Sequence, residues 1–446
     1  MKVNEEKGKI KSKVFLWYNQ FTKVFDNPLF HDYRTILFLW FFMCVFMIIK
    51  HQYENNFLIF CGVWDHLNAQ LPLYSPYPEE YGDVNHYGPV FSLLIAPFAL
   101  LPRPLGLFFW LLFLVSFLYV AIRYSDLSHF EKLFVFWFCS HELLNAMFLS
   151  QFNIGIAAIV VLTFTMIERR HDFWAAFFIM LGTMTKLYGI LGLAFFFFSH
   201  QKIKFIIALL FSGVMMFVAP MLFASSEYVV SQYFEWYADL LKKNAENINM
   251  LAIGNMADLS TNISLLGFIR RSTRIFTYSD LWIIIPNLIL FSLAFLRRDQ
   301  YKYVAFRKMI MASALMFCVL FSTGSENSTY IIAFVGVAVW YCCVPWQRSC
   351  YDKGLMILVF IISSLSPGDL FPKVIYRGFI QPYAIKAVPV AIVWFKLCYE
   401  LLTCDYSPRN SKGPVHSYSA DPDFVGASTF GLDTRGGIGD EFAEFS

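Results

Sequence analysis

The sequence predicts an all-α polytopic integral membrane protein in which about 11–13 helices cross or enter the bilayer, some of them short or re-entrant. Of the 446 residues, 58% are hydrophobic and only 15% are charged, whereas soluble proteins carry about 25% charged residues. Apolar runs of helical length recur along most of the chain. This composition excludes a soluble enzyme, and a net charge of +3 is too small to indicate binding to nucleic acid.

The apolar runs define three parts of the chain. They cover 35–50, 88–101, 104–122, 133–150, 152–167, 172–185, 187–199, 203–224, 281–296, 309–322, 328–345, 354–365 and 383–402. A full crossing needs about 20 residues, so several of these runs are short enough to tilt, pair or only dip into the bilayer. We therefore predict a basic cytoplasmic segment 1–34, a membrane domain 35–402 and a tail 403–446. The tail is rich in Gly, Ser, Asp and Pro, and we expect it to be disordered and cytoplasmic.

Basic loops give the expected orientation. The N-terminal lysines and the basic loops at 168–171, 202–204, 297–308 and 348–353 are predicted to be cytoplasmic. Residues 51–87, expected to be partly helical, and residues 225–280 then form external loops. If every run crossed, Arg123–Lys132 would lie on the wrong side. A re-entrant, proline-interrupted run at 88–101 removes this conflict. The alternative is that Arg123–Lys132 is external and another short run fails to cross.

The first external loop combines carboxylates with tyrosines. Its candidate residues are Glu54, Tyr77, Glu80, Tyr81, Asp83 and Tyr87. Aromatic faces pack on the C–H surfaces of sugars, and a carboxylate can orient or deprotonate a hydroxyl, so the loop suits a sugar site. The alternative is an interfacial aromatic belt with solvated acids.

A few polar residues interrupt the apolar runs. A lysine in mid-bilayer costs roughly 2.5–3.5 kcal/mol, so Lys186 is either a phosphate contact on the far side or a side chain that snorkels to the interface. Gln151 and Asn153 either donate hydrogen bonds at the far-side mouth of the bundle or cap the helix that begins at Ile154. Glu326 brings a carboxylate to the same side.

A second polar set lies within one apolar run. His141, Glu142 and Asn145 share a helical face by their spacing. We expect them to point into the bundle, where packing contacts and a binding role are both open. No P-loop, dinucleotide fingerprint or HExxH motif is found in the sequence. We therefore expect no cofactor and no metal.

Four stretches, taken in order, resemble glycosyltransferase family 87. They are Tyr87-Gly-Pro-Val-Phe through Pro102 (family pattern YPPxF…APLALLP), Gln151-Phe-Asn-Ile (GQxN), Met184-Thr-Lys-Leu-Tyr (AAIKLTP) and Asn262-Ile-Ser-Leu-Leu-Gly-Phe-Ile-Arg-Arg (NQSLxGLLRR). The resemblance covers roughly residues 50–345, and it implies a GT-C-like fold. Members of this family transfer a sugar, often mannose, from a polyprenyl-phosphate carrier to a glycolipid or glycan with inversion.

The resemblance also implies a location and partners. The reaction takes place outside the cytoplasmic (inner or plasma) membrane, with the lipid-phosphate sugar as co-substrate, membrane lipids around the protein and no nucleic acid partner. The substrate-binding residues that it suggests, together with those argued above, are Asn55, Asn56, Tyr77, Tyr81, Tyr87, Gln151, Asn153, Lys186, Asn262, Arg270 and Arg271.

The chain departs from the family pattern at the expected base. The family loop begins DFxVY, with the aspartate as base, whereas the aligned segment here is Asn55-Asn56-Phe57, and an amide cannot act as a base. The later SPxSWDHH stretch is replaced by Ser322 to Thr329, without histidines. We expect a relocated carboxylate, with Asp83 first because it lies four residues before the tyrosine-proline stretch. The other candidates are Glu80, Glu326 and Glu54.

Two other functions stay open from the sequence. A transporter or flippase for lipid-linked sugars would use a similar cavity without forming a bond. The long external loop 51–87 argues against it, because carriers usually bind substrate near the bilayer midplane. A catalytically inactive partner of another membrane enzyme would explain the missing aspartate and histidines.

Overall fold

The computed structural model describes residues 27–50, 55–252 and 259–408, and within these ranges the chain forms helices and no strand. The all-α class predicted from the sequence is confirmed. The main helices are α1 Tyr33–Lys50, α2 Asn55–Ala69, α3 Phe91–Ala99, α4 Arg103–Tyr124, α5 His129–Met147, α6 Asn153–Glu168, α7 Asp172–Lys186, α8 Lys202–Val218, α9 Ser226–Ala252, α10 Leu265–Thr273, α11 Leu281–Leu293, α12 Val304–Leu320, α13 Tyr330–Cys342, α14 Cys350–Leu358 and α15 Ala387–Thr403. The longest 3₁₀ segment is Tyr188–Phe198, and π-helical turns cover Val359–Leu365 and Tyr376–Ile380.

The centre of the bundle is built from helices that are apolar on all faces. Helices α6, α12 and α13 are buried along nearly their whole length, as expected for helices with no polar stripe. Helices α12 and α13 pack directly on each other. A Cβ at Gly336 would lie 2.7 Å from the carbonyl oxygen of Ala312, so only glycine permits this close approach, as at small-residue contacts between membrane helices.

Helices at the periphery turn apolar faces outward. On α8, Ile203 is 75% exposed and Leu210 is 67% exposed, and α1 and α11 show similar outward rows. Tyr33–Lys50, Arg103–Tyr124 and Lys202–Leu222 are long and apolar enough to cross a membrane, and other apolar helices of the described chain are shorter. Exposed apolar surface of this extent fits lipid contact. The number of crossings stays a prediction.

The first external loop and the run after it are helical, and neither α2 nor α3 matches a full crossing. Helix α2 has 15 residues. Helix α3 has nine residues and contains Pro97, so it extends about 13 Å at 1.5 Å per residue, less than half of the roughly 30 Å hydrocarbon core. Helix α3 packs against α2 and α4. Its length agrees with the re-entrant assignment of 88–101.

Ion pairs gather three loops at one end of the bundle. Arg169 pairs with Asp126 at 2.8 Å and Lys308 pairs with Glu131 at 2.9 Å, while Glu168 accepts two hydrogen bonds from Arg307, each 2.6 Å long. Arg123–Lys132 therefore lies at the same end as two loops that are predicted to be cytoplasmic. The re-entrant assignment requires this arrangement.

The opposite end carries the polar residues of interest. Helix α6 runs from Asn153 to Glu168, so its first residue lies about 22 Å from the ion-paired end. The start of α6, the end of α7, the residues before α3 and the turn before α13 meet here. Helix α9 covers part of the loop, because Trp236 Nε1 donates to the His86 carbonyl at 3.0 Å.

Candidate active site

A continuous chain of side-chain hydrogen bonds links a lysine to a carboxylate. Lys186 Nζ donates to Asn153 Oδ1 at 2.7 Å. Asn153 Nδ2 donates to Gln151 Oε1 at 2.8 Å, and Gln151 Nε2 donates to Glu326 Oε2 at 2.9 Å. These four residues, each singled out from the sequence, come from three separate parts of the chain and form one group, which we call the central network.

Helix ends place the members of the central network. Ser150 adopts a left-handed backbone conformation with φ of 50° between α5 and α6, which turns Gln151 toward the start of α6. Lys186 is the last residue of α7, where Leu187 with φ of 32° ends the helix. The residue before α6, Phe152, makes no side-chain cap. Gln151 and Asn153 therefore use their amides in the central network, and the simple capping alternative does not describe them.

Tyr87 joins the central network through its phenol. The Tyr87 oxygen lies 3.4 Å from Lys186 Nζ and accepts a hydrogen bond from the Phe152 N–H at 3.2 Å. Lys186 Nζ also lies 5.2 Å from the centre of the Tyr87 ring, within the range of a cation–π contact. On the backbone, the Tyr87 N–H donates to Asn85 Oδ1 at 2.9 Å, so the loop is fixed on both sides of the ring.

The backbone before α3 touches the end of α7 at a glycine. The Gly88 N–H donates to the Thr185 carbonyl at 3.0 Å. A Cβ at Gly88 would lie 2.0 Å from the Met184 carbonyl oxygen, so no larger residue fits without moving backbone. This contact sets the distance between Tyr87 and Lys186.

Glu326 is held by the turn that precedes α13. The Glu326 N–H donates to Thr329 Oγ1 at 3.1 Å, and the Glu326 carboxylate accepts from the Thr329 backbone in a reciprocal capping box. Ser328 Oγ, in the same turn, donates to Gln151 Oε1 and accepts from Asn153 Nδ2, both at 3.0 Å. The carboxylate is thus oriented by groups on two elements.

Two predicted amides of the loop make structural contacts. Asn55 Oδ1 accepts from the Gly82 N–H at 2.8 Å, and Asn56 Nδ2 donates to the Leu149 carbonyl at 2.7 Å. Asp83 is exposed, and its Oδ1 accepts from the Val84 N–H at 2.8 Å. Asp83 therefore lies next to the loop anchor at Asn55, and none of its described contacts reaches the central network. Glu54 lies outside the described residues.

A satellite cluster surrounds the buried His66 of α2. Tyr77 packs on its ring with centroids 3.9 Å apart, and Glu80 lies 3.1 Å from its Nε2. The Tyr81 hydroxyl lies 3.4 Å from its Nδ1, and burial raises the pKa of the Tyr81 phenol. Tyr77, Glu80 and Tyr81 thus come together around His66, whereas Tyr87 contacts the central network.

The predicted residues of 262–271 form a supporting layer behind Glu326. The Ile263 N–H, next to the buried Asn262, donates to the Ser325 carbonyl at 2.6 Å. Arg270 forms a salt bridge with Asp280, and Arg271 donates to the Gln381 and Thr261 carbonyls at 2.8 and 2.6 Å. The described contacts of both arginines are therefore to protein groups.

Several contributing residues were not anticipated from the sequence. They are Ser328, which contacts the central network, Tyr188 and Ser322, whose hydroxyls lie 2.9 Å apart, and the pair His86 and Asp239, at 2.8 Å. Serines and tyrosines are too common for their type alone to mark them. The pairing of His86 with Asp239 joins residues 153 positions apart, which no local pattern reveals.

An apolar cavity opens beside the central network. It has a volume of about 600 Å³ and lies between the 3₁₀ segment, α11 and α12. Leu187 and Tyr188, which directly follow Lys186, are among its lining residues, as are Cys318 and Ser322. A second cavity of about 810 Å³ shares Ile190 and Leu191 with the first and reaches Lys202 and Arg298. Together the two form a groove along the 3₁₀ segment.

The arrangement combines an acid–base group, a fixed cation and an apolar groove. An oriented carboxylate can accept a proton from a hydroxyl, and a lysine can hold a phosphate as a compact charge. A groove of apolar residues that starts beside the lysine suits the tail of a lipid. Fold and site therefore define a polytopic helical membrane protein in which a polar site adjoins an apolar groove.

Comparison with protein families agrees with this class. The model of glycosyltransferase family 87 matches residues 85–323, just over half of the chain. The chain belongs to glycosyltransferase family 87, so the resemblance seen in the sequence is confirmed. It is a membrane glycosyltransferase with a sugar donor and an acceptor as substrates. Comparisons with curated proteins and with solved structures each returned no significant match.

Proposed function

We propose that the chain is an inverting hexosyltransferase that moves a hexose, with mannose expected, from a polyprenyl-phosphate donor to a hydroxyl of a glycolipid or glycan. The observation that carries this proposal is the central network beside the apolar groove: Glu326 and Lys186 are joined through Gln151 and Asn153. By the predicted orientation, this end of the bundle is extracytoplasmic, in the cytoplasmic (inner or plasma) membrane.

In this proposal Glu326 is the base. Its carboxylate takes the proton from the acceptor hydroxyl, whose oxygen attacks the anomeric carbon from the face opposite the phosphate. The bond between that carbon and the phosphate oxygen breaks, and its electron pair leaves with the polyprenyl phosphate. Inversion follows from the single displacement. Gln151 supports the role, because its Nε2 donates to one carboxylate oxygen at 2.9 Å and fixes the direction of the group.

Lys186 stabilises the leaving phosphate. Among the described residues its ammonium contacts two acceptors, Asn153 and Tyr87, so one of its three N–H donors remains for a ligand. A cation placed where negative charge develops lowers the barrier of the reaction. The Tyr87 ring and the Asn153 amide hold the lysine in place, which limits the reorganisation needed during transfer.

We propose that the groove binds the polyprenyl chain of the donor. The 3₁₀ segment has 11 residues and extends about 20 Å at 2.0 Å per residue, roughly two-thirds of the hydrocarbon core. Ile190, Leu193 and Leu288 among the lining residues are exposed, so the groove opens sideways. A lipid-linked donor can thus enter from the bilayer with its phosphate toward Lys186.

The test is sugar transfer by the purified full-length chain in lipid nanodiscs, with polyprenyl-phosphate [¹⁴C]mannose as donor and membrane glycolipids as acceptors. We expect Glu326→Gln to lower kcat by about 10²–10⁴-fold, the usual contribution of a general base, with little change in the donor KM. Lys186→Met should lower kcat and raise the donor KM together, because it removes a contact to the phosphate in both the ground state and the transition state.

Asp83→Asn distinguishes the two carboxylates. We expect it to keep kcat within about twofold of the wild type, because Asp83 is exposed and contacts the neighbouring backbone. Loss of transfer in Asp83→Asn with full activity in Glu326→Gln would move the base to Asp83. Movement of the lipid-linked sugar across vesicles without a new glycosidic bond would support a flippase. Absence of both transfer and movement, with the fold intact, would support an inactive partner.

A further inference from the structure

A second polar group lies next to the central network and has no part in the proposed reaction. Glu142 of α5 and Lys386, the residue before α15, form an ion pair with 2.9 Å between Oε1 and Nζ. Their side chains are 0% and 2% exposed. Burying two charges is costly even when they are paired, so such a pair within a membrane bundle calls for a function.

The carboxylate of this pair is fully held in place. Asn145 Nδ2, one turn along α5, donates to Glu142 Oε2 at 3.0 Å. The same nitrogen lies 3.0 Å from the Ser364 carbonyl oxygen, which ties α5 to the π-helical turn at 359–365. Glu142 therefore has a fixed position from which it orients the lysine.

The ammonium of Lys386 is directed at the turn that carries Glu326. Lys386 Nζ donates to the Asn327 carbonyl at 3.2 Å and lies 4.4 Å from the centre of the Tyr330 ring. Asn327 directly follows Glu326, and Tyr330 begins α13. The lysine thus contacts both ends of the turn that places the carboxylate.

Contacts from several elements therefore fix the short turn Asn327–Thr329, including a hydrogen bond of 3.5 Å from Asn327 Nδ2 to the Tyr376 hydroxyl. Gln151 and Asn153 hold it through Ser328 Oγ, and Lys386 holds it through the backbone oxygen of Asn327. A turn of this length has few internal bonds, so its direction depends on these outer contacts. A displacement of about 1 Å at a reacting group is enough to cost two orders of magnitude in rate.

We infer that Glu142 and Lys386 are positioning residues for transfer: the pair holds the Asn327 carbonyl and thereby aims the Glu326 carboxylate at the acceptor hydroxyl. This inference rests on the proposed function, in which Glu326 is the base. In this role neither residue needs to touch a substrate. The pair acts through the backbone, so it affects the turnover step and leaves donor binding at Lys186 unchanged.

The test compares variants of the full-length chain in nanodiscs. Lys386→Met alone leaves Glu142 buried without its partner and risks misfolding, so the main variant is the double substitution Glu142→Gln with Lys386→Met, which removes both charges. We expect it to lower kcat by about 10–100-fold with the donor KM within about twofold of the wild type. The single variant Lys386→Arg should keep most of the wild-type kcat, because a guanidinium can donate to both the Glu142 carboxylate and the Asn327 carbonyl.

The matched control is another buried ion pair, Arg348 with Glu400, at 2.8 Å and with both side chains 4% exposed. It lies between α13 and α15, near the opposite end of α13 from the Glu326 turn. Arg348→Met with Glu400→Gln should leave the kcat of the folded protein unchanged. Equal kcat loss in both double variants, or wild-type kcat in the Glu142 and Lys386 variant, would overturn the inference.

Hydrogen exchange separates this inference from the proposed function. We expect the amides of 325–329 to lose protection in the Glu142→Gln and Lys386→Met double variant and to keep it in the control. If the wild-type chain transfers no sugar while this local loss occurs, the proposed function fails and the positioning of the turn stands. Unchanged protection at 325–329 overturns the positioning role, whether or not transfer occurs.

Discussion

Gly88→Ala is the sharpest test of the geometry around Tyr87 and Lys186. The added Cβ would lie 2.0 Å from the Met184 carbonyl oxygen and 2.9 Å from the Trp236 ring. Ordinary contact begins at 3.4 Å, so the two backbone segments must separate by about 1.4 Å. The closest obstacle is a backbone atom, so rotation of a side chain cannot relieve the clash.

The separation has a predictable cost. It breaks the hydrogen bond from Gly88 to the Thr185 carbonyl, worth about 0.5–1.5 kcal/mol, and overpacking adds about 1–3 kcal/mol. Tyr87 moves with its neighbour, so its oxygen loses the 3.4 Å approach to Lys186 Nζ. We expect kcat/KM to fall about 100-fold, the usual effect of a 1 Å misplacement, with a folded chain of lower Tm.

The assay is donor-dependent transfer by purified protein, together with thermal unfolding in the same nanodiscs. Gly354→Ala is the matched control: a Cβ at Gly354, on α14, meets no atom within 4 Å. Alanine there should leave activity unchanged and raise stability slightly, since it favours a helix by about 1 kcal/mol over glycine. Wild-type kcat/KM in Gly88→Ala would refute the claim that this contact sets the site.

Two further changes test the groove and the contact of Asn56 with the Leu149 carbonyl. Leu288→Trp narrows, from α11, the part of the groove that is farther from Lys186, so the KM of a long polyprenyl donor should rise about tenfold while that of a two-isoprene donor stays unchanged. Ile289→Trp on the same helix, at an exposed position, is the control, and equal effects in both would argue against the groove. Asn56→Asp should lower Tm and give no gain in kcat, because a carboxylate would face the Leu149 carbonyl. A gain in kcat would return the base to position 56.

The four members of the central network could be singled out from the sequence because they are polar residues in apolar surroundings. Lys186, Gln151 and Asn153 interrupt apolar runs, where a polar group needs a partner or a role, and Glu326 follows a run on the same predicted side. The structure brings all four together. The helical class could equally be predicted, because long apolar runs with few charges satisfy their backbone hydrogen bonds in lipid within each helix.

The contacts that orient the site could not be predicted from the sequence. Ser328 is one serine among many, and only the packing of α13 against α6 brings it to Gln151. Lys386 lies within the apolar run 383–402 and offered a signal, but its partner Glu142 lies 244 positions away. The family pattern suggests Arg270 and Arg271 as substrate-binding residues. Their described contacts are to Asp280 and to carbonyls and depend on tertiary packing, and a role in substrate binding stays a prediction.

The amide at the position of the family aspartate explains why the base should lie elsewhere. Asn56 aligns with that aspartate, and its Nδ2 donates to the Leu149 carbonyl at 2.7 Å. An ionised carboxylate only accepts hydrogen bonds, so an aspartate in this pose would repel the carbonyl. Leu149 lies two residues before Gln151, so the amide anchors the loop to the segment that orients Glu326. In our proposal, the amide at position 56 therefore supports the Glu326 carboxylate and does not act as the base.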